Sequence, residues 1–202
     1  MAVRSPHLAI GRVQHRISKG SFMFKAAASL IALGIVTMPL AAQTSRFHPG
    51  PIFTEFGNVA SIETTMAIPA DAAFAVAFDT SSRADVGEIN RTLSSAARFI
   101  NMHVEAGIPV ENIRVAVVIH GQASLDLTNA EFYAARQDGA ENATAPAIAA
   151  LTAHGVQVIL CGQTAAYYEI GNEDLLPGVD MALSAMTAHA LLQQQGFTLN
   201  PF

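Results

Sequence analysis

Apolar and polar positions alternate along this chain in two periods. Ala72 to Phe78 is a short apolar run closed by Asp79-Thr80-Ser81, which predicts a first strand. Ile89, Leu93, Ala96, Ala97, Ile100 and Val104 then recur at spacings of three and four. They give a helix over roughly 86–106 with one apolar face, capped by Asp85 or Thr80 and stopped by Gly107. Arg114 to Ile119 is apolar on both faces and ends at His120-Gly121, which predicts a second strand. A long connection over 122–145 is expected to carry a short helix near Asn129 to Arg136. Pro146 opens another helix, Gly155 ends it, and Val156 to Cys161 reads as the third strand. A short helix over 164–170, a fourth strand over 179–183, a helix over 185–195 capped by Ser184, and a final strand over 197–199 complete the pattern.

Strands that are apolar on both faces and alternate with helices predict an α/β fold. The expectation is a single-domain, mostly parallel sheet with helices on both faces, a doubly wound arrangement. Residues 43–70, which contain His48-Pro49-Gly50-Pro51, form an extended approach segment, with Phe53, Phe56, Val59 and Ile62 pinning it across the domain. The α/β domain is placed at 71–202.

A different pattern occupies the first 42 residues. Lys25, the charge-free run from Ala26 to Val36 and the small-residue end Leu40-Ala41-Ala42 follow the order of a secretory signal peptide, with cleavage expected after Ala42. The apolar core of about 11 residues is shorter than the roughly 20 of a membrane span. The competing expectation is an uncleaved N-terminal anchor over 22–42. Residues 1–22 read as an over-long start, with Met23 as the alternative initiator.

Cleavage would change the charge balance. Of 11 basic residues five lie within 1–42, and all 16 acidic ones lie beyond it. The remainder keeps six Arg and no Lys against 16 Asp and Glu, a formal charge of −10. Such a domain offers no electrostatic footprint for nucleic acid, nor for an anionic membrane once the leader is removed. A single cysteine excludes an internal disulfide and a dithiol redox pair, and no Cys/His spacing suggests a metal. No Gly-x-Gly-x-x-Gly, phosphate loop or Gly-x-Ser-x-Gly elbow is present, and no cofactor is expected.

Two strand ends carry reactive groups, His120-Gly121 and Cys161-Gly162-Gln163. Ligands of parallel sheets sit beyond the carboxyl ends of the strands. If the two strands are neighbours, Cys161 is a candidate nucleophile or sulfur carrier, with His120 as general base or polariser. The glycines Gly121 and Gly162 leave backbone N–H groups free there. Gln163 and Thr164, at the next helix start, are candidates for holding an anion, and Ser184 lines the same crevice or caps a helix. The plainer alternatives are that Cys161 fills space in the core and that His120 bonds a loop carbonyl. His103, His154 and His189 lie on helices and read as surface or interface residues. Asn90-Arg91-Thr92 and Asn142-Ala143-Thr144 match the glycosylation pattern.

These strand ends, the Leu175-Leu176-Pro177-Gly178-Val179 turn and the ending Ser184-Ala185-Met186-Thr187-Ala188-His189, Leu192-Gln193, Gln195-Gly196 resemble the DsrE/DsrF-like family of sulfur-relay proteins. The resemblance is to its exported single-domain branch and covers roughly Ile52 to Phe202. It implies a flavodoxin-like or YchN-like fold and a homo-oligomer, often a trimer or hexamer. It also implies a persulfide carried on a cysteine, which by position is Cys161, exchanged with a sulfur donor or acceptor protein. Two functions are therefore expected of different classes. One is a periplasmic persulfide-type carrier or sulfurtransferase-like protein using Cys161. The other is a non-catalytic oligomeric small-ligand-binding protein in which Cys161 is a buried core residue.

Overall fold

The computed structural model describes residues 46–200. The expected signal peptide over 1–42 lies outside the described residues. The chain runs β1 (Phe74–Thr80), α1 (Arg91–Glu105), β2 (Ile113–Ile119), α2 (Ala130–Arg136), α3 (Ala145–Ala153), β3 (Gln157–Cys161), α4 (Gly162–Tyr167), β4 (Val179–Ala182), α5 (Ala185–Gln194) and β5 (Thr198–Asn200). Short 3₁₀ turns occupy Val110–Asn112, Gly121–Leu127 and Asn172–Asp174.

All five strands are parallel, in the order β4-β3-β2-β1-β5. Right-handed crossovers explain the layers. Steps from β1 to β2 to β3 run in one direction, and α1 and α3 share one face, where they touch each other. The step from β4 to β5 runs back across the sheet, and α5 packs against the opposite face.

Side-chain alternation sorts the strands between the two faces. Val76, Phe78, Val115, Val117, Ile119, Val158 and Leu160 join the larger core with Leu93, Ala96, Ala97, Ile100, Ile148 and Leu151. Ala77, Ala116, Val118 and Ile159 meet Ala188, Leu192 and Phe197 on the α5 side. The next residue of each of the three central strands on that side is polar or reactive: Asp79, His120 and Cys161.

α1 begins later than its periodicity suggests. Asn90, not Asp85 or Thr80, is its cap and accepts from the Thr92 N–H at 3.0 Å. Residues 86–90 are instead held in a loop, where Asn90 Nδ2 donates to Asp126 at 2.7 Å and the Asn90 N–H donates to Thr144 Oγ1 at 3.0 Å. Asx geometry competes with helix extension at such residues. Both Asn-x-Thr triplets serve this role: Asn142 Oδ1 accepts from the Thr144 N–H at 3.1 Å, and its amide donates to the Asp126 and Thr128 carbonyls. Asn90 is fully buried, so its match to the glycosylation pattern is structural in use.

The approach segment is pinned by Phe53 and Val59, with Phe56 half-buried, but Ile62 stands exposed rather than inward. A polar residue holds the rest. Asn101, buried on α1, accepts from the Ile52 and Phe53 N–H groups at 3.0 and 2.9 Å. Its amide donates to the Phe53 and Gly57 carbonyls at 2.9 and 3.0 Å. A loop with no sheet partner needs such donors and acceptors once it is buried.

Candidate functional site at the carboxyl rim of the sheet

β2 and β3 are neighbours, with Ile119 opposite Leu160. His120 continues the pleat one residue past β2, with φ −147° and ψ −173°, and Cys161 is the residue after Leu160. The two side chains therefore stand on the same face at adjoining rim positions, where strands lie about 4.8 Å apart. Neither nitrogen of His120 bonds the sulfur. Its Nε2 lies 3.0 Å from Asp79 Oδ2 on β1.

Cys161 is 6% exposed and joins neither aliphatic cluster. Its surroundings are donors. Burial pushes the thiol up, but the Thr164 hydroxyl and the N–H groups of Thr164, Ala185 and Gln163 favour the thiolate and together hold its pKa below the ordinary value. These donors come from two loops. Gly162 begins α4 immediately after the sulfur, bringing the N–H groups of Gln163 and Thr164 into the first helical turn. The β4–α5 turn brings the Ala185 N–H from the other side.

Close approach explains the glycine at 162. A Cβ there would lie 2.6 Å from the Ala182 carbonyl oxygen, so the β3–α4 turn could not rest on β4. Gly121 has a different reason: its φ of +55° and its contact with Ser81 leave no place for a side chain. Its N–H donates to Thr164 Oγ1 at 3.3 Å, which ties the β2 rim to the β3 rim.

The remaining sequence candidates divide. Gln163 turns its side chain away, donating from Nε2 to the Leu183 carbonyl at 3.1 Å, so only its backbone faces the sulfur. Ser184 caps α5, accepting from the Thr187 N–H at 3.0 Å, and acts on the site only by fixing where that helix starts. His103 packs between Phe74 and Phe99, and His154 packs edge-on against Phe53.

His189 departs from the surface reading. Its Nε2 meets Asp79 Oδ1 at 2.7 Å, and its side chain is only 17% exposed. Asp79 thus holds two imidazoles, and sequence reasoning named it only as the end of a strand. The available signal was its position: it ends β1 on the face that His120 and Cys161 occupy at the ends of β2 and β3. Beside Asp79 opens a cavity of about 590 Å³, lined by the β1–α1 loop from Asp79 to Thr92. A hollow of about 540 Å³ between α1 and Asn200 contains none of these rim residues. Among the described residues no group of three or more His, Cys, Asp or Glu is arranged to hold a metal ion.

The fold is a single-domain, five-stranded parallel α/β sheet whose carboxyl rim holds one buried thiol. Residues 72–201 match the model of the DsrE/DsrF-like family, and the chain belongs to that family. Among solved structures it is similar to the protein of unknown function MTH1491 from Methanobacterium thermoautotrophicum. The two are 20% identical with a TM-score of 0.44, over 65% of this chain and 100% of that one. It is also similar to the YchN protein of E. coli, at 14% identity and TM-score 0.46, over 64% of this chain and 99% of that one. No curated protein matches.

Proposed function

We propose that this protein is a periplasmic sulfur carrier or sulfurtransferase-like protein that holds a sulfane sulfur as a persulfide on Cys161. Family membership implies a sulfur-relay-type role. The observation that carries the finer reading is the donor set around the sulfur, which favours an anion despite burial. A persulfide needs a nucleophilic thiolate and no resolving thiol, and this chain has one cysteine. His120 acts at the neighbouring rim position, and Gly121, Gly162, Gln163 and Thr164 shape the turns and donors that receive the sulfur.

The proposed carrier is exported, its leader removed after Ala42, and works as a homo-oligomer, a trimer or hexamer, exchanging sulfur with a donor or acceptor protein. Tyr167, Leu183, Met186 and Leu191 stand exposed on and beside α4 and α5, and a second copy of the chain would cover them. Light scattering on the exported protein tests the assembly, and its N-terminal mass tests the cleavage.

The low exposure of Cys161 favours a second reading, a non-catalytic oligomeric ligand-binding protein with this residue in its core. One experiment separates them. The native full protein is incubated with polysulfide and its intact mass is measured, alongside Cys161→Ser. The carrier reading expects added sulfur in the wild type only. Absence of uptake, together with no alkylation before denaturation, overturns it in favour of the binding protein.

A further inference from the structure

Asp79, His120 and His189 form a hydrogen-bonded cluster on the sheet face that also carries Cys161. An ionised carboxylate has no proton to give, so each imidazole that it accepts from carries its hydrogen on Nε2, a tautomer assigned from the partner. Both rings then present Nδ1 as a base. His189 Nδ1 is buried without a hydrogen-bond partner, while the His120 side chain is 35% exposed. A buried ring nitrogen left without a partner calls for an explanation.

The cluster's position supplies one. His189 lies four residues after Ala185, whose N–H favours the Cys161 thiolate. Residues i and i+4 share a helix face, and helical side chains lean toward the N-terminus, so the ring leans toward the turn that touches the sulfur. His120 adjoins Cys161 across one strand spacing. Strand spacing is about 4.8 Å, and a persulfide extends the reach of the sulfur by an S–S bond of about 2.05 Å.

We propose that the His120–Asp79–His189 cluster is the acid–base partner of Cys161, with Asp79 as a positioning residue. This rests on the carrier reading. Nδ1 of a neutral imidazole takes the Cys161 proton. The thiolate attacks the outer sulfur of an incoming persulfide, R–S–SH. The Sγ–S bond forms as the R–S bond to that sulfur breaks, and the electron pair leaves on R–S⁻. The imidazolium returns its proton to R–S⁻. The products are Cys161–S–SH and R–SH, and no outside oxidant or reductant is consumed.

The other charged and titratable groups near this face are few. Asp180 on β4 is exposed, level with Ile159 rather than Cys161. Arg83, Asp85, Glu88 and Arg91 line the cavity beside Asp79. Tyr167 ends α4, and Arg114 lies at the far end of β2. α5 contributes only His189, and β5 contributes none.

The test is the pH profile of Cys161 alkylation by iodoacetamide in the full chain, without any sulfur donor. Asp79→Asn, and the His120→Gln/His189→Gln double variant, are expected to alkylate about fivefold or more slowly than wild type below the thiol midpoint. Long-range ¹H–¹⁵N spectra are expected to show both rings protonated at Nε2 and shifted when Cys161 is alkylated. Rates within about twofold of wild type at every pH, in variants that keep their near-ultraviolet dichroism, overturn the inference. His120→Gln alone, at a half-exposed site, carries the test if Asp79→Asn does not fold. Polysulfide loading is read in parallel. Loading without imidazole dependence overturns this inference alone, and imidazole dependence without loading overturns the carrier reading alone.

Discussion

Replacing Thr164 by Val deletes one hydroxyl and preserves a β-branched side chain of the same shape. That hydroxyl is the foremost of the donors favouring the Cys161 thiolate, ahead of the three backbone N–H groups. A hydrogen bond to a charged group contributes about 1.5–3 kcal/mol. The N–H groups of Thr164, Ala185 and Gln163 remain and compensate in part, so the lower end of that range applies. About 1.4 kcal/mol is a tenfold change in an equilibrium constant, so the thiolate fraction below the thiol midpoint should fall about tenfold. The Gly121 N–H also loses its acceptor, but at 3.3 Å that bond is long and its loss should cost little stability. The assay is the iodoacetamide rate at Cys161 across pH, read by intact mass, with Thr164→Ser as the control that restores the hydroxyl. Linkage gives an independent check. A thiol that titrates lower in the folded state adds stability above its unfolded pKa, and that stability is lost as pH falls through the folded value. Thr164→Val should shrink this alkaline advantage. An alkylation profile that overlays the wild type, with the fold intact, would refute the view that side-chain hydrogen bonding sets the reactivity of this sulfur.

Asn101→Ala should lower stability by about 3 kcal/mol in urea titration, because four bonds to residues 52–57 are lost and the Phe53 N–H is buried; a loss under about 1 kcal/mol would mean that the segment is held by Phe53 and Val59 alone. Gly162→Ala should slow alkylation of Cys161 and destabilise the fold, because the new methyl group meets the Ala182 oxygen at 2.6 Å and pushes the donor turns apart; wild-type rates in this variant would contradict that packing argument. Asp126 is fully buried, and burial pushes its carboxyl above the ordinary range against the opposing pull of Asn90, Ala84 and Arg83. The folded state therefore binds this proton more tightly, and stability falls as pH rises from the unfolded carboxylate range through the raised folded value. Asp126→Asn should remove that slope, which urea titrations over the acid range would read directly.

Residues acting alone or with their sequence neighbours were legible in the chain. The strands announced themselves because β2 and β3 are buried on both faces, which demands unbroken runs of β-branched and aliphatic residues. Ser184 capped α5 as expected because a cap reads only its own helix. The start of α1 did not follow its periodicity. Asn90 is bonded to Asp126 and Thr144, residues more than 30 positions away, and no window of sequence around Val86 contains them.

The same division runs through the rim. That Cys161 ends a strand was written in the order of its neighbours, as was the polar residue ending each of β1 and β2. The partnership of those ends was decided by the strand order β4-β3-β2-β1-β5, which sets Asp79, His120 and Cys161 side by side on one face. The reversal that carries α5 to that face brings His189 across 110 positions to Asp79. Periodicity reports which side of an element is apolar, because burial acts on each residue in turn. It does not report which elements meet, because chain crossovers and close backbone approach, as at Gly162, are properties of the assembled sheet.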